Sequence, residues 1–255
     1  HVRPINLKST LICATLRRSR ASVIGFLLGG AVVPGPLKAS ESLLAVKVAK
    51  RAYHFFRRNF LILFMPRSLI VGGVQSEQMA KRDFARTVKP LFSNSFDYSQ
   101  FLCISALDQA TENAAVYLDT GFPGFPRDEV LTGRTEAITA SDWYPNLNKF
   151  FYFVEKELEL KVDVAIHPKH VGRDHSLLFD SRRAIGGQTA SLVAMRKLVI
   201  ATNSTAISFA ICYNKPLILV WSDLIESGVD PRKKSFIENI ATETGARIFN
   251  IDREY

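Results

Sequence analysis

Cysteine is scarce in this chain and badly placed for pairing. Cys13, Cys103 and Cys212 are odd in number and far apart in the 255 residues. That excludes a disulfide framework and a CxxC metal knuckle, and makes a reducing cytosol the default compartment. His54, His167, His170 and His175 share no ligand spacing on one helix, and no pair of acids follows a strand, so no metal site is expected. There is no Walker loop and no Gly-x-Ser-x-Gly elbow, which removes P-loop chemistry and the α/β-hydrolase nucleophile. No period of roughly 20 to 50 residues recurs, which sets a solenoid aside.

Long apolar runs are also missing. Residues 22–33, SVIGFLLGGAVV, are too few to cross a bilayer. They follow Arg17, Arg18 and Arg20 and imitate the apolar region of a signal peptide, with Ala39-Ser40 as a poor cleavage site. Two glycines and then Pro34-Gly35-Pro36 suit a buried strand entering a turn better. The remaining shortage is local. Residues 1–100 carry 4 Asp and Glu against 16 Lys and Arg, whereas residues 101–255 carry 20 against 17. The net charge of +9 therefore belongs to the N-terminal part. Such a field favours an anionic partner, whether a membrane surface, a nucleic acid or a phosphorylated substrate, without choosing among them.

What is present is the composition of a folded protein. With 47% hydrophobic and 22% charged residues, the chain is globular and long enough for one large or two modest cores. From residue 114 onward two periods alternate. Ala114–Leu118 is a strand-length apolar run. After a Pro/Gly loop, Ser141 or Asp142 caps a helix carrying Leu147, Phe150, Phe151, Val154 and Leu158 at helical spacing. Val162, Val164 and Ile166 alternate as a strand closed by His167-Pro168. Residues 188–196 are expected as a helix, Leu198–Ala201 as a strand and 204–212 as a short helix. A strand over Leu217–Trp221, a polar helix near 231–244 and a last strand over Arg247–Ile251 complete the series.

Strands apolar on both faces in alternation with helices predict a doubly wound α/β domain with a parallel sheet. The first hundred residues carry fewer signals. Ser40 caps a basic helix over 41–58, either a solvated face or a membrane-surface element. Strands are expected at Phe60–Met65 and Ser68–Val71, the second ended by Gly72-Gly73. A boundary falls near 90–105, giving a basic N-terminal region, 1–95, and a Rossmann-like domain, 96–255.

Ligands of a parallel sheet bind outside the carboxyl ends of its strands. The residues there are Asp119, His167 and Asn203-Ser204-Thr205. Asp119 opens an Asp-Thr-Gly triplet, but it stands alone and is followed by FPGFP within an α/β rhythm; an aspartic protease needs two such loops in a β-rich fold. Asp119 is either a general base or a turn residue bonding the backbone of its own loop. His167, followed by Pro168, Lys169 and His170, gathers cationic donors that suit a departing phosphate. Ser204 and Thr205 open a helix, where hydroxyls and backbone N–H groups meet an anion or simply cap. Gly186-Gly187-Gln188-Thr189 starts the preceding helix and either approaches a ribose or base or caps.

These stretches, YLDTGFPGFPRD (117–128), WYPNLNKFF (143–151), AIHPKH (165–170), GGQTASLV (186–193) and ATNSTAISFAICYNKPLIL (201–219), resemble the bacterial GT-B glycosyltransferases with a His-Pro motif and a Ser-Ser/Thr motif. Those are the sialyltransferase-like and Kdo-transferase-like enzymes of capsule and lipopolysaccharide synthesis. The resemblance covers roughly residues 95–225. It implies a GT-B-like fold and a metal-independent, cofactor-free transfer of sugar from a nucleotide-sugar donor, CMP-linked by preference, to a glycan or glycolipid acceptor. By it, Asp119 and His167 are catalytic, and Lys169, Gly187, Thr189, Asn203, Ser204 and Thr205 bind the donor. The sialyltransferase motif has two acids before its glycine where this chain has Asp119-Thr120, which makes Asp128 the substitute base. The basic N-terminal region would meet an anionic inner-membrane surface from the cytoplasm, and nucleic acid is not expected. The acceptor half is short, and no closing helices follow Tyr255, so a fragment or shortened relative is expected. The alternatives are a non-catalytic nucleotide-binding module or scaffold of polysaccharide assembly, and a two-Rossmann nucleotide-sugar epimerase.

Overall fold

The computed structural model describes residues 15, 24–28, 68–73, 76–78, 80, 89–105, 111–121, 123, 139–170, 175, 177–223, 231–253 and 255. The chain divides into two compact units, His1–Phe96 and Asp97–Tyr255. The expected basic helix at 41–58, the strand Phe60–Met65 and Asp128 lie outside the described residues.

In the first unit, β1 (Ile24–Leu28), β2 (Ser68–Gly72) and β3 (Lys89–Phe92) form a parallel sheet in that order. β1 falls inside the run that imitates a signal peptide, and it is a strand. Leu69 and Val71 of β2 are fully buried. β3 escapes the sequence patterns because it is short and holds Pro90, which a strand paired on one side tolerates; in the described sheet β3 pairs with β2 alone.

The second unit opens with helix α1 (Phe96–Ser105) and then builds a six-stranded sheet from β4 (Glu112–Leu118), β5 (Lys161–Ile166), β6 (Ala184–Gly186), β7 (Arg196–Ala201), β8 (Leu217–Trp221) and β9 (Arg247–Asn250). Every pairing is parallel. The spatial order is β6-β5-β4-β7-β8-β9, which, counted from β4, is the 3-2-1-4-5-6 order of doubly wound dinucleotide folds. Ala114 to Leu118 and Val162 to Ile166 are buried without alternation, as strands covered on both faces must be.

The connections follow from local chemistry. Helix α2 (Ala140–Leu158) starts at Thr139 rather than at Ser141 or Asp142. The Thr139 N–H donates to Asp142 Oδ2 at 3.0 Å and its hydroxyl donates to the same oxygen at 2.6 Å, so Asp142 serves as the third-position acid of a capping box. Hydrogen bonds from Thr139 hold the Asp142 carboxyl below its usual range. Trp143, Tyr144, Leu147, Phe150, Phe151 and Val154 face the sheet. Leu158, expected on that stripe, is exposed, because the helix ends one residue later at Glu159 in a left-handed conformation (φ 53°). Phe151 lies 5.1 Å from the Tyr117 ring, and Phe179 lies 5.4 Å from Tyr144, edge to face.

Helices α3 (Thr189–Met195), α4 (Ile207–Cys212) and α5 (Pro231–Thr244) make the remaining crossovers. β6 has only three residues, too few for a period of two to register. At the N-terminal edge, Asp163 pairs with Nη2 of Arg183 and of Arg196 at 2.7 and 2.6 Å, while Glu112 lies 3.4 Å from the same Arg183 nitrogen and 3.2 Å from Nη1 of Arg196. The Arg196 side chain is 1% exposed, and a cation buried to that degree needs these carboxylates.

Candidate functional site

A parallel sheet gathers all its strand ends on one edge, and the strand order decides which of them share a crevice. The chain leaves β4 toward β5 and leaves β7 toward β8, so the crossovers diverge between β4 and β7. Leu118 of β4 stands in register with Ala201 of β7 and with Ala165 of β5. Asp119-Thr120-Gly121 and Thr202-Asn203-Ser204 therefore emerge side by side at the switch point, where ligands of such folds bind, with His167 one strand away.

The Asp119 N–H continues the ladder to the Ala165 carbonyl at 3.0 Å. Its carboxylate, 1% exposed, then folds back. Oδ1 accepts the Gly121 N–H at 2.7 Å, and Oδ2 accepts the His167 N–H at 3.0 Å and lies 3.2 Å from His170 Nδ1. Gly121 takes φ +73° to make this turn, a conformation that favours glycine. Of the two expected parts for Asp119, the bonding of its own loop is the one its geometry describes. A general base needs an oxygen within reach of the acceptor's proton, and both of these oxygens face the protein.

His167 is half-buried at the end of β5, and Pro168–His170 form a single 3-10 turn closed by the His170 N–H on the His167 carbonyl at 2.8 Å. The Lys169 backbone lies in that turn. His170 was conspicuous in the sequence only as one more cation beside His167; the fold buries it against Asp119. His175 Nε2, 2.7 Å from the His170 carbonyl, must donate there.

On the β7 side, Asn203 and Ser204 are half-buried and Thr205 is exposed. The helix opens at Ile207, with Ala206 as its cap, three residues later than the sequence suggested. The Ser204 hydroxyl accepts the Ala206 N–H at 3.2 Å, which occupies a lone pair and leaves its proton to donate. Thr202, unremarked in the sequence, is buried beside the strand end. It contributes to a polar floor with Tyr117, whose hydroxyl neighbours Thr202 and Trp143. Burial, then the Asp119 charge, raises the Tyr117 and Tyr144 hydroxyls above their usual range, so both stay neutral donors.

Gly187 and Thr189 follow β6, two strands from β4 and three from β7. Thr189 opens α3, which packs back across β5, β4 and β7. Among the described residues no group of His, Cys, Asp or Glu has the arrangement of a metal site, and no helix is long and apolar enough to cross a membrane. A cavity of about 820 Å³ opens at the opposite edge, between the starts of β7, β8 and β9 and the last turns of α2, α4 and α5. None of the strand-end residues lines it.

Comparison with known proteins gives little beyond this geometry. No family model matches the sequence, and no curated protein matches it. Among solved structures, the E. coli heptosyltransferase WaaC with ADP is similar at 14% identity with a TM-score of 0.37. The match covers 71% of this chain and 61% of that one, so this chain spans about three fifths of the length of the structure it matches.

Proposed function

We propose that the unit Asp97–Tyr255 binds a nucleotide sugar at the β4/β7 crevice and serves as the donor half of a metal-independent glycosyltransferase of surface-polysaccharide synthesis. One observation carries this. The strand order brings the Asp119 loop and Asn203-Ser204 together at the topological switch point, from segments that the sequence already likened to glycosyltransferase motifs. Ser204 and Thr205 offer hydroxyl protons to the donor phosphate, Asn203 supports them, and His167 meets the phosphate as it departs, supplying a charge-assisted hydrogen bond. Lys169 adds positive charge on the same turn. Gly187 and Thr189 take the ribose or base. Asp119 is assigned no proton transfer here, because its oxygens bond the loop.

CMP is the expected nucleotide, and a lipid-linked glycan the expected acceptor. The basic residues of the first hundred would hold the protein against an anionic membrane face. Calorimetric titration with CMP, UDP, GDP and ADP on the native chain, His167→Ala and Ser204→Ala tests the donor site. CMP should bind, and each substitution should weaken it by about 1–3 kcal/mol, the worth of a hydrogen bond to a charged group. If none of the four nucleotides binds the native chain, the donor-site proposal fails. If CMP binds but no acceptor mixture receives sugar, the non-catalytic binding module takes its place.

A further inference from the structure

The His167–His170 turn is tied at both ends to a single carboxylate oxygen. Oδ2 of Asp119 receives the backbone N–H of His167 at 3.0 Å and faces Nδ1 of His170 at 3.2 Å, while the His170 N–H closes the turn on the His167 carbonyl at 2.8 Å. The two side chains are 1% and 4% exposed. An ionised carboxylate only accepts, so a bare Nδ1 lone pair would repel it, and the proton must sit on Nδ1. The second tie, His175 Nε2 on the His170 carbonyl at 2.7 Å, holds the same residue from its backbone side. Pro168 stiffens the turn between, with its φ set by the ring.

We propose that Asp119 is a positioning residue: it fixes the proton of His170 on Nδ1 and clamps the strand-end turn His167–His170 into one backbone path beside the crevice. Asp119 then acts through the turn, and its effect on ligand binding is transmitted by the placement of His167. The effect on ligands rests on the proposed donor site; the clamp itself does not. A carboxamide cannot replace the carboxylate, because an Asn at 119 presents a donor either to Gly121 N–H or to the two groups on Oδ2. With its nitrogen at the Oδ2 position the amide faces His167 N–H and the Nδ1 proton, and with its oxygen there it keeps only an uncharged bond to them and faces Gly121 N–H, so either placement weakens the hold on the turn.

The test is nitrogen NMR of the histidine rings in the full chain, with His170 assigned through His170→Asn. The native protein should show a protonated, hydrogen-bonded Nδ1 on His170, and Asp119→Asn should weaken that bond or move the proton to Nε2, shifting the His170 ring-nitrogen signals either way. A bare Nδ1 in the native protein, or His170 signals that ignore Asp119→Asn, overturns the proposal. A second pair covers the case in which Asp119→Asn does not fold. His170→Leu removes the donor, whereas His170→Asn offers an amide N–H near the position of Nδ1. CMP affinity should fall about tenfold in His170→Leu, as loss of one charge-assisted bond implies, and be largely restored in His170→Asn. Equal losses in the two variants count against positioning. If the native chain binds none of CMP, UDP, GDP or ADP, the donor site falls, and the ring-nitrogen result alone still decides whether Asp119 is the clamp.

Discussion

Removing the charge of Asp163 should expose how much the second unit depends on the buried guanidinium of Arg196. Arg196 is 1% exposed, and its charge is met by Asp163 at 2.6 Å and by the half-exposed Glu112 at 3.2 Å. Breaking a buried pair on one side costs about 3–5 kcal/mol. Glu112 retains part of the compensation, so Asp163→Asn should fall at the lower end, about 3 kcal/mol. At roughly 2–4 °C per kcal/mol for a domain of this size, the unfolding midpoint drops by about 6–12 °C. Burial pushes the Asp163 carboxyl up, but hydrogen bonds and charge from Arg183 and Arg196 outweigh it and leave the group below its usual range. A carboxyl with a depressed folded value gives its full contribution above the unfolded value, about 3.9, and loses it as pH falls through the folded one. The gap between native and variant in urea melts should therefore be constant from neutral pH down to about pH 5 and close below about pH 4. The double variant Asp163→Asn/Arg196→Met should recover most of the loss, because both charges leave the interior together. A single variant as stable as the native chain, or a double variant no better than the single, would refute the argument.

Three further outcomes follow from the same packing. Phe151→Ala removes the buried ring packed at a tilt against Tyr117 and should cost about 3–5 kcal/mol in chemical denaturation. Thr139→Ala breaks the capping box of α2 and should cost about 1 kcal/mol, with the first turn of the helix losing amide-exchange protection. Titration of tyrosinate absorbance should leave Tyr117 and Tyr144 neutral at pH values where exposed tyrosines ionise, since burial raises both. Their folded values lie above the unfolded one, so the stability they contribute is present below about pH 10 and is lost as pH rises beyond it. The Tyr117→Phe and Tyr144→Phe variants should each remove one late-ionising group from the curve.

Much of the α/β unit was legible because its strands are buried on both faces. Runs such as Leu217–Trp221 and Ala114–Leu118 have no polar interruptions, and β8 has the bounds the sequence suggests. The α2 stripe was equally plain at Leu147, Phe150, Phe151 and Val154. The capping residue was missed because Thr139, Ser141 and Asp142 all have capping chemistry, and only the two bonds that Thr139 donates to the Asp142 carboxylate choose among them. The three-residue β6 and the Pro-containing β3 carry no periodic signal, since each is specified by its neighbour strand.

The sequence by itself determined most of the strands of the second unit, that they are parallel, and that polar residues follow three of them at Asp119, His167 and Asn203. Hydrophobic pattern and turn chemistry act over a few residues, and those are local facts. Only the tertiary structure decided that β4 and β7 are neighbours, which turns separate strand ends into one crevice. It also turned Asp119 inward. A carboxylate's role depends on which donors reach it, and the N–H of His167 and the ring of His170 lie 48 and 51 residues along the chain, beyond anything local pattern can weigh.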